Sequence, residues 1–401
     1  MSMKGKKVIV GISGGIAAYK AAELVRILVR ADINTRVAMT LNATRFVTPL
    51  TFEALSGNRV VWDMFDRGTD AFDHITWGQD ADLIIIAPAT ANFIAKMTQG
   101  IADDFLSTMV IAATAKILIC PSMNSQMFLN PAVQQNLRLL KERGITVMAP
   151  GEGELACQAE GLGRLPEPAE IAEEAQVLLS EQDLSGLRLL VTAGPTIEPL
   201  DPVRYFTNRS SGKMGYAIAR AARYRGASVT LVSGPTNLDV PTGVAFYSIK
   251  TTEEMRHAVF SHSKGCDVII KAAAPLDYRP GMVADHKIKK VEEVESIEMV
   301  RTPDILRELG NSKEDSRFIL VGFAAETEDL LSNATEKLRQ KNLDMIVAND
   351  VSREDAGFES DTNLIKFIHR DGVREDLPLM TKEEAADQLL DRVKTLWESR
   401  S

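Results

Sequence analysis

A few short stretches carry side chains able to do chemistry. His74 stands in Asp73-His74-Ile75-Thr76-Trp77, and an imidazole suits proton transfer near neutral pH. Asn124 closes Pro121-Ser122-Met123-Asn124, a turn amide that both donates and accepts. Cys157 lies among Gly151, Gly153, Gly161 and Gly163, a thiol on what reads as a mobile flap. Lys287-Ile288-Lys289-Lys290 is the sharpest charge run, a solvated basic face or a lid closing on a polyphosphate. Lys337 and Lys341 are four apart, so they share a helix face. Asp277 follows a strand end, placed to bind ribose or a metal, or simply to start the turn before Pro280. Taken singly, each has an ordinary structural reading: a surface histidine, a turn asparagine, a solvated lysine.

The elements that must position these groups repeat one alternation twice. Apolar strands at 7–10, 36–39, 83–87, 117–120 and 146–149 are separated by helical patterns. That alternation predicts a parallel sheet with helices on both faces. Ligands of such sheets gather at the carboxyl ends of the strands. Small and hydroxyl residues fall there: Ser13-Gly14-Gly15, Thr40, Ala89-Thr90 with Asn92, and Ser122. The first turn is not a GxGxxG fingerprint, and no acid ends the second strand, so a mononucleotide such as FMN fits better than NAD. The stretch Arg188–Gly215 then restarts the pattern. Its Ser210-Ser211-Gly212-Lys213-Met214-Gly215 opens a helix with two hydroxyls, two glycines and a lysine, a combination suited to phosphate. Strands at 189–192, 229–232, 268–270, 318–321 and 345–348 follow.

Length and charge bound the rest. The 401 residues predict two domains, at 1–182 and 188–401 with a linker at 183–187. The net charge of -9 argues against nucleic acid as a partner. Three cysteines without ligand spacing point to a reduced, cytoplasmic protein with no disulfide framework. No apolar run is long enough to cross a bilayer, and the N-terminus carries no signal-peptide pattern.

Two resemblances follow from motifs in order. Residues 5–180, with SGGIAAYK, DHI, APATAN, PSMNSQM and the alanine-cysteine flap, resemble the flavin-containing cysteine decarboxylases. The departures are Ser122 where that family has alanine and Gln158 where it has glycine. Residues 186–401, with TAGPTIEPLDPVRYFTNRSSGKMG, AAAPLDYRP, KIKK, TPDIL and VGFAAET, resemble phosphopantothenate–cysteine ligase; Pro275-Leu276 departs from the usual valine and small residue. The whole chain resembles the bacterial fused decarboxylase–ligases of coenzyme A synthesis.

The resemblance implies two Rossmann-like parallel-sheet domains and two consecutive reactions. In the second half, 4'-phosphopantothenate attacks the α-phosphate of CTP, and L-cysteine displaces CMP from the acyl-cytidylate. Lys287 is expected at the acyl phosphate and Asn208 at its carbonyl. Ala272, Ala273, Asp277, Lys337 and Lys341 are expected at the nucleotide, with Pro303, Asp304, Ile305, Leu306 and Phe323 lining the base and ribose pocket. Mg²⁺ is expected, with Asp277 a ligand. In the first half, FMN supports decarboxylation of 4'-phosphopantothenoylcysteine: His74 acts as base, Asn124 holds the carboxylate and Cys157 donates a proton. FMN is expected on Ser13, Gly14, Gly15, Thr40, Ala89, Thr90, Asn92 and Ser122. A homo-oligomer combining trimeric decarboxylase and dimeric ligase contacts is implied. Two other classes remain open: an NAD(P)-dependent tandem-Rossmann oxidoreductase and a non-catalytic regulatory flavoprotein.

Overall fold

The structure, a computed structural model, describes residues 5–65, 70–154, 160–289, 296–315, 318–326, 330–350 and 360–400. The chain divides into two compact units, residues 2–180 and 181–401.

In the first unit, strands β1 (Lys7–Ile12), β2 (Asn34–Met39), β3 (Val60–Val61), β4 (Leu83–Ala89), β5 (Lys116–Pro121) and β6 (Thr146–Val147) form one sheet. The order is β3-β2-β1-β4-β5-β6, with every pair parallel. Helices α1 (Ala18–Arg30), α2 (Pro49–Ser56), α3 (Asp73–Asp80), α4 (Ala91–Gln99), α5 (Phe105–Ala112), α6 (Ser125–Leu129), α7 (Pro131–Glu142) and α8 (Pro168–Leu179) complete the unit. All seven residues of β4 are buried. A central parallel strand is covered on both faces, hence its unbroken apolar run rather than an alternation. Helix α1 buries Ala18, Ala21, Leu24, Val25 and Leu28, the three-and-four spacing of one helical face. Strand β3 is too short for a sequence pattern and was not expected. The glycine-rich flap begins and ends as an antiparallel ribbon, β7 (Gly151–Glu154) against β8 (Glu160–Arg164).

The second unit repeats the topology. Strands β9 (Arg188–Ala193), β10 (Ile197–Pro199) and β11 (Tyr205–Thr207) precede helix α9 (Lys213–Tyr224). Then come β12 (Ser228–Ser233), β13 (Ala245–Ser248), α10 (Thr252–Ser263), β14 (Val268–Lys271), β15 (Tyr278–Pro280), β16 (Met299–Arg301), α11 (Ile305–Asn311), β17 (Ile319–Glu326), α12 (Leu330–Gln340) and β18 (Met345–Asp350). The chain finishes with β19 (Thr362–Asn363), β20 (Ile365–His369), β21 (Arg374–Asp376), β22 (Met380–Thr381) and α13 (Lys382–Glu398). The main sheet runs β13-β12-β9-β14-β17-β18-β20-β21. Its first six strands have the same order as the first unit's sheet. They are parallel, but β20 and β21 are antiparallel, an edge the alternation did not predict. One face, with Val191, Ile270 and Val347, packs on α9 and α13. The other, with Leu190, Ile269 and Ile346, packs on α10, α11 and α12.

The segment 183–187, expected as a linker, is part of this second unit. Leu184 and Leu187 lie in its core. Asp183 pairs with Arg225 at 2.7 Å and Lys394 at 3.2 Å. A serine and a glycine between leucines gave the appearance of a loop, but the leucines carry the energetics: burying each is worth about 1.5–3 kcal/mol.

Candidate active sites

In the first unit the strand order reverses between β1 and β4, the switch point where open α/β sheets bind ligands. Ser13 and Thr90 meet there. Ser13 Oγ donates to the Pro88 carbonyl at 2.7 Å and lies 3.1 Å from Thr90 Oγ1; Thr90 N–H donates back to Ser13 Oγ at 2.9 Å. Thr90 also caps α4. Gly14 leaves no room for a side chain, since a Cβ would stand 2.5 Å from that of Asn42. Ser122 N–H donates to the Ala89 carbonyl at 3.0 Å, so the ends of β4 and β5 are joined. Asn92 is exposed on the first turn of α4. Thr40, at the end of β2, is buried, and among the described residues its Oγ1 has no hydrogen-bond partner. Burying a hydroxyl unpaired costs about 1–3 kcal/mol. A row of hydroxyls at a switch point, one of them unsatisfied, fits a polar ligand such as a flavin mononucleotide.

His74 is half-buried on α3. One turn on, Trp77 fixes that helix: its ring stands edge-on to Phe105 at 5.6 Å and under the Arg36 guanidinium at 5.2 Å. Asn124 caps α6, its Oδ1 accepting from Gln126 N–H at 2.8 Å. Its neighbour Met123 donates N–H to the Gly163 carbonyl at 2.9 Å, which ties the Asn124 turn to the flap ribbon. Ser125 Oγ is buried there, without a partner among the described residues. Cys157 and Gln158 lie outside the described residues. Cys120 is a buried core residue whose thiol is pushed up by burial, which makes it inert.

In the second unit the residues after β14 form a pinned loop. Thr192 Oγ1 accepts from Ala273 N–H at 3.2 Å, and Thr196 Oγ1 from Leu276 N–H at 3.1 Å. Asn208 Nδ2 donates to the Ala274 and Pro275 carbonyls at 2.9 and 3.1 Å. Thr302 Oγ1 donates to the Leu276 carbonyl at 2.5 Å. These contacts present Asp277, exposed, at the carboxyl edge of the sheet. Asp304 caps α11 and pairs with Lys341 at 3.0 Å. Burial raises the Asp304 pKa, but the Arg307 N–H and Lys341 outweigh it and hold the carboxyl below its usual range.

Lys271 was missed from sequence. It ends β14, is 9% exposed, and feels Lys341, Asp304 and Asp277. Burial first, then Lys341, pushes its pKa down to about 8. The available signal was a lysine closing the apolar run Val268-Ile269-Ile270. Lys337 is half-buried on the last turn of α12.

Lys287 is exposed, and its neighbour anchors it. Ile288 N–H donates to Asp201 at 3.1 Å, and Arg204 donates to the Ile288 carbonyl at 2.9 Å. Arg204 also holds the Asp201 carboxyl far below its usual range. Ile305 and Leu306 are buried in the core against α10 and α12. Phe323 lies on the opposite face. With Ala272 it lines a cavity of about 60 Å³ walled by Ser210–Gly215. The Phe323 side chain thus packs on the face of the sheet opposite to Ile305 and Leu306. Among the described residues no three acidic, histidine or cysteine side chains group as a metal site. Mg²⁺ commonly binds through one or two carboxylates plus substrate phosphates, which Asp277 fits.

Residues 1–180 match the family described as Flavoprotein, and residues 184–396 that described as DNA/pantothenate metabolism flavoprotein C-terminal domain. The coenzyme A biosynthesis bifunctional protein CoaBC of Bacillus subtilis (strain 168) is 47% identical over 399 residues, 98% of each chain. Its namesake in Escherichia coli (strain K12) is 45% identical over 407 residues, 100% of each chain. A solved structure, the C-terminal domain of a coenzyme A biosynthesis bifunctional protein CoaBC, is 44% identical, covering 55% of this chain and 100% of that one at a TM-score of 0.47. The chain belongs to this family of bifunctional coenzyme A biosynthesis enzymes, and its first half is a flavoprotein.

Proposed function

We propose that residues 2–180 decarboxylate 4'-phosphopantothenoylcysteine and residues 181–401 make it, joining L-cysteine to 4'-phosphopantothenate at the expense of CTP. In the second half the pinned loop Ala272–Asp277 carries the reading. It sets the exposed Asp277 carboxylate beside the Lys271, Asp304 and Lys341 charges, a combination suited to ribose, phosphates and Mg²⁺. The carboxylate of phosphopantothenate attacks the α-phosphorus and the bond to pyrophosphate breaks. The cysteine amine then attacks the acyl carbon and CMP leaves. Lys287 neutralises the charge gathering on the acyl phosphate. Asn208 donates both amide hydrogens to the loop and so keeps it in shape; to meet the intermediate's carbonyl, an acceptor, it would redirect one of them.

In the first half Ser13, Thr40 and Thr90 hold FMN, with Gly14, Gly15, Ala89, Asn92 and Ser122 completing its site. Bound FMN supplies the reversible two-electron chemistry that activates the cysteinyl group for loss of CO₂. His74 takes the thiol proton, Asn124 holds the departing carboxylate, and Cys157 returns a proton at the end. The apolar side chains exposed on this half, among them Ile16, Tyr19, Leu50 and Phe72, support trimeric contacts between copies. Dimeric contacts through the second half would close the assembly. Among the described residues no helix is long and apolar enough to cross a membrane, in keeping with a cytoplasmic site of action.

Purified full-length protein given phosphopantothenate, cysteine, CTP and Mg²⁺ should release pyrophosphate, CMP and CO₂ and form phosphopantetheine. Mass spectrometry of the released chromophore should give FMN. A colourless protein that binds NADPH, or a coloured one catalysing neither step, would overturn the reading.

A further inference from the structure

Glu198 is a buried acid with no part in the two reactions as derived so far. It lies in β10, on the ribbon that β10 forms with β11, and it is 2% exposed. Burying a carboxylate is costly unless good donors meet it. Here the donors come from the start of α10. The Thr252 N–H reaches Glu198 Oε1 at 2.8 Å and the Thr252 hydroxyl reaches the same oxygen at 2.7 Å. Thr251 and Glu254 form the capping box of that helix, so α10 has a cap without Glu198.

The Thr252 hydroxyl leads back to the candidate site. It lies 3.0 Å from the Thr196 hydroxyl, and both residues are buried. Each hydroxyl has one proton to give, and a carboxylate only accepts. Thr252 spends its proton on Glu198, so Thr196 is the donor to Thr252. With its own proton committed, Thr196 is left to accept, and it accepts from the Leu276 N–H at 3.1 Å. The bonds therefore run one way, from the Leu276 N–H through Thr196 and Thr252 to Glu198. Hydrogen bonds in such a chain polarise and strengthen one another inside a protein. From the other side Thr302 holds the same peptide: its hydroxyl donates to the Leu276 carbonyl at 2.5 Å and its N–H to the Asp277 carbonyl at 3.0 Å. The peptide that carries Asp277 is thus clamped between Thr302 and the chain that ends at Glu198.

We propose that Glu198 is a positioning residue of the ligase half: through Thr252 and Thr196 it fixes the Leu276–Asp277 peptide, and with it the direction in which the Asp277 carboxylate meets the nucleotide. That Asp277 meets a nucleotide rests on the ligase reading; that the chain clamps the peptide does not.

The test uses full-length protein and two readouts, amide hydrogen exchange at Leu276 and the KM values of ligation. Thr252→Val keeps the N–H bond to Glu198 and removes the middle hydroxyl. Exchange at Leu276 should quicken at least tenfold and KM for CTP should rise at least fivefold, with KM for cysteine within twofold. Thr252→Ser should restore both. Glu198→Met should resemble Thr252→Val, and the double variant should be no worse than the worse single one, because the links act in series. Thr251→Ala removes the cap of α10 without touching the chain. It should lower the urea midpoint and leave KM for CTP within twofold, which separates positioning from a general loosening of the helix. Should Glu198→Met not fold, the Thr252 variants carry the test. Wild-type exchange at Leu276 in Thr252→Val or in folded Glu198→Met overturns the proposal. So does a KM for CTP raised as far in Thr251→Ala as in Thr252→Val. Wild-type protein that ligates nothing, with exchange still quickened in Thr252→Val, would instead sink the ligase reading and leave the clamp standing.

Discussion

At the scale of single residues, both halves hold polar groups that a folded chain would not keep for stability alone. Thr40 is the plainest in the first half. Its hydroxyl is buried and, among the described residues, unsatisfied, so removing it should relieve a cost while removing a ligand contact. Thr40→Val is expected to leave the flavin-free protein as stable or up to about 1 kcal/mol more stable, and to weaken FMN binding at least tenfold. Urea melts of stripped protein and fluorescence titration with FMN check both. Lys271 is the counterpart in the second half. Its pKa is about 8 in the folded chain against about 10.4 unfolded. Between those values the unfolded chain binds more protons, so this residue's contribution to stability rises with pH. Lys271→Met should therefore be more stable than wild type at pH 7, by on the order of 2 kcal/mol, and the gain should shrink above pH 8. The same variant should bind CTP more weakly at pH 7. A gain that persists undiminished to pH 10 would show that the lysine does not titrate there. Most site residues at strand ends were legible because hydroxyls and small residues interrupt apolar runs. Glu198 was not, since Thr196-Ile197-Glu198-Pro199 reads as a polar loop and its partner Thr252 lies far away in sequence.

At the scale of elements, the start of α9 is placed by what glycine lacks. A Cβ on Gly215 would stand 2.5 Å from the Ala193 Cβ and 2.9 Å from the Thr192 carbonyl. The helix sits that close to the end of β9, and only there do its first N–H groups border the cavity beside Ala272. Gly215→Ala should push α9 off the strand, costing about 1–3 kcal/mol as overpacking does. It should also raise the KM of ligation while leaving decarboxylation of added phosphopantothenoylcysteine intact; equal loss of both activities would argue against a local effect. The long parallel strands were readable because burial on both faces leaves unbroken apolar runs. Strands β3 and β13 and the antiparallel β20–β21 edge were not. Strand β3 has two residues and β13 is exposed throughout, so backbone pairing to an existing sheet makes them strands; β20 is buried, but nothing in the alternation marked it as antiparallel.

At the scale of the whole molecule, the shared strand order of the two sheets is a repeat of topology without a repeat of sequence, because many apolar sets satisfy the same layers. The domain boundary was legible only to within a few residues. The polar stretch at 183–187 hides two core leucines, and the Asp183 pairing depends on Arg225 and Lys394, far away in sequence. Residues 2–180 expressed alone should bind flavin and decarboxylate; residues 181–401 should be colourless and ligate. A second-half fragment begun at Leu184 loses Asp183 and strips the buried Arg225 of one partner. It should be less stable than one begun at Glu181 by roughly 1–3 kcal/mol, as equal urea midpoints for the two would disprove. The position of α13 in the chain has a further consequence, in time rather than in energy. This helix covers the apolar face of α9, yet every residue it covers is made before it. At roughly 5–20 residues per second, α13 leaves the ribosome about 8–30 seconds after α9. Through that interval α9 can pack on β9 and β12, but the face it turns to α13 stays uncovered. The first half by then has all of its own sheet and helices, so on the ribosome the two halves differ in when each needs a chaperone's shelter, and the ligase is the one that must wait.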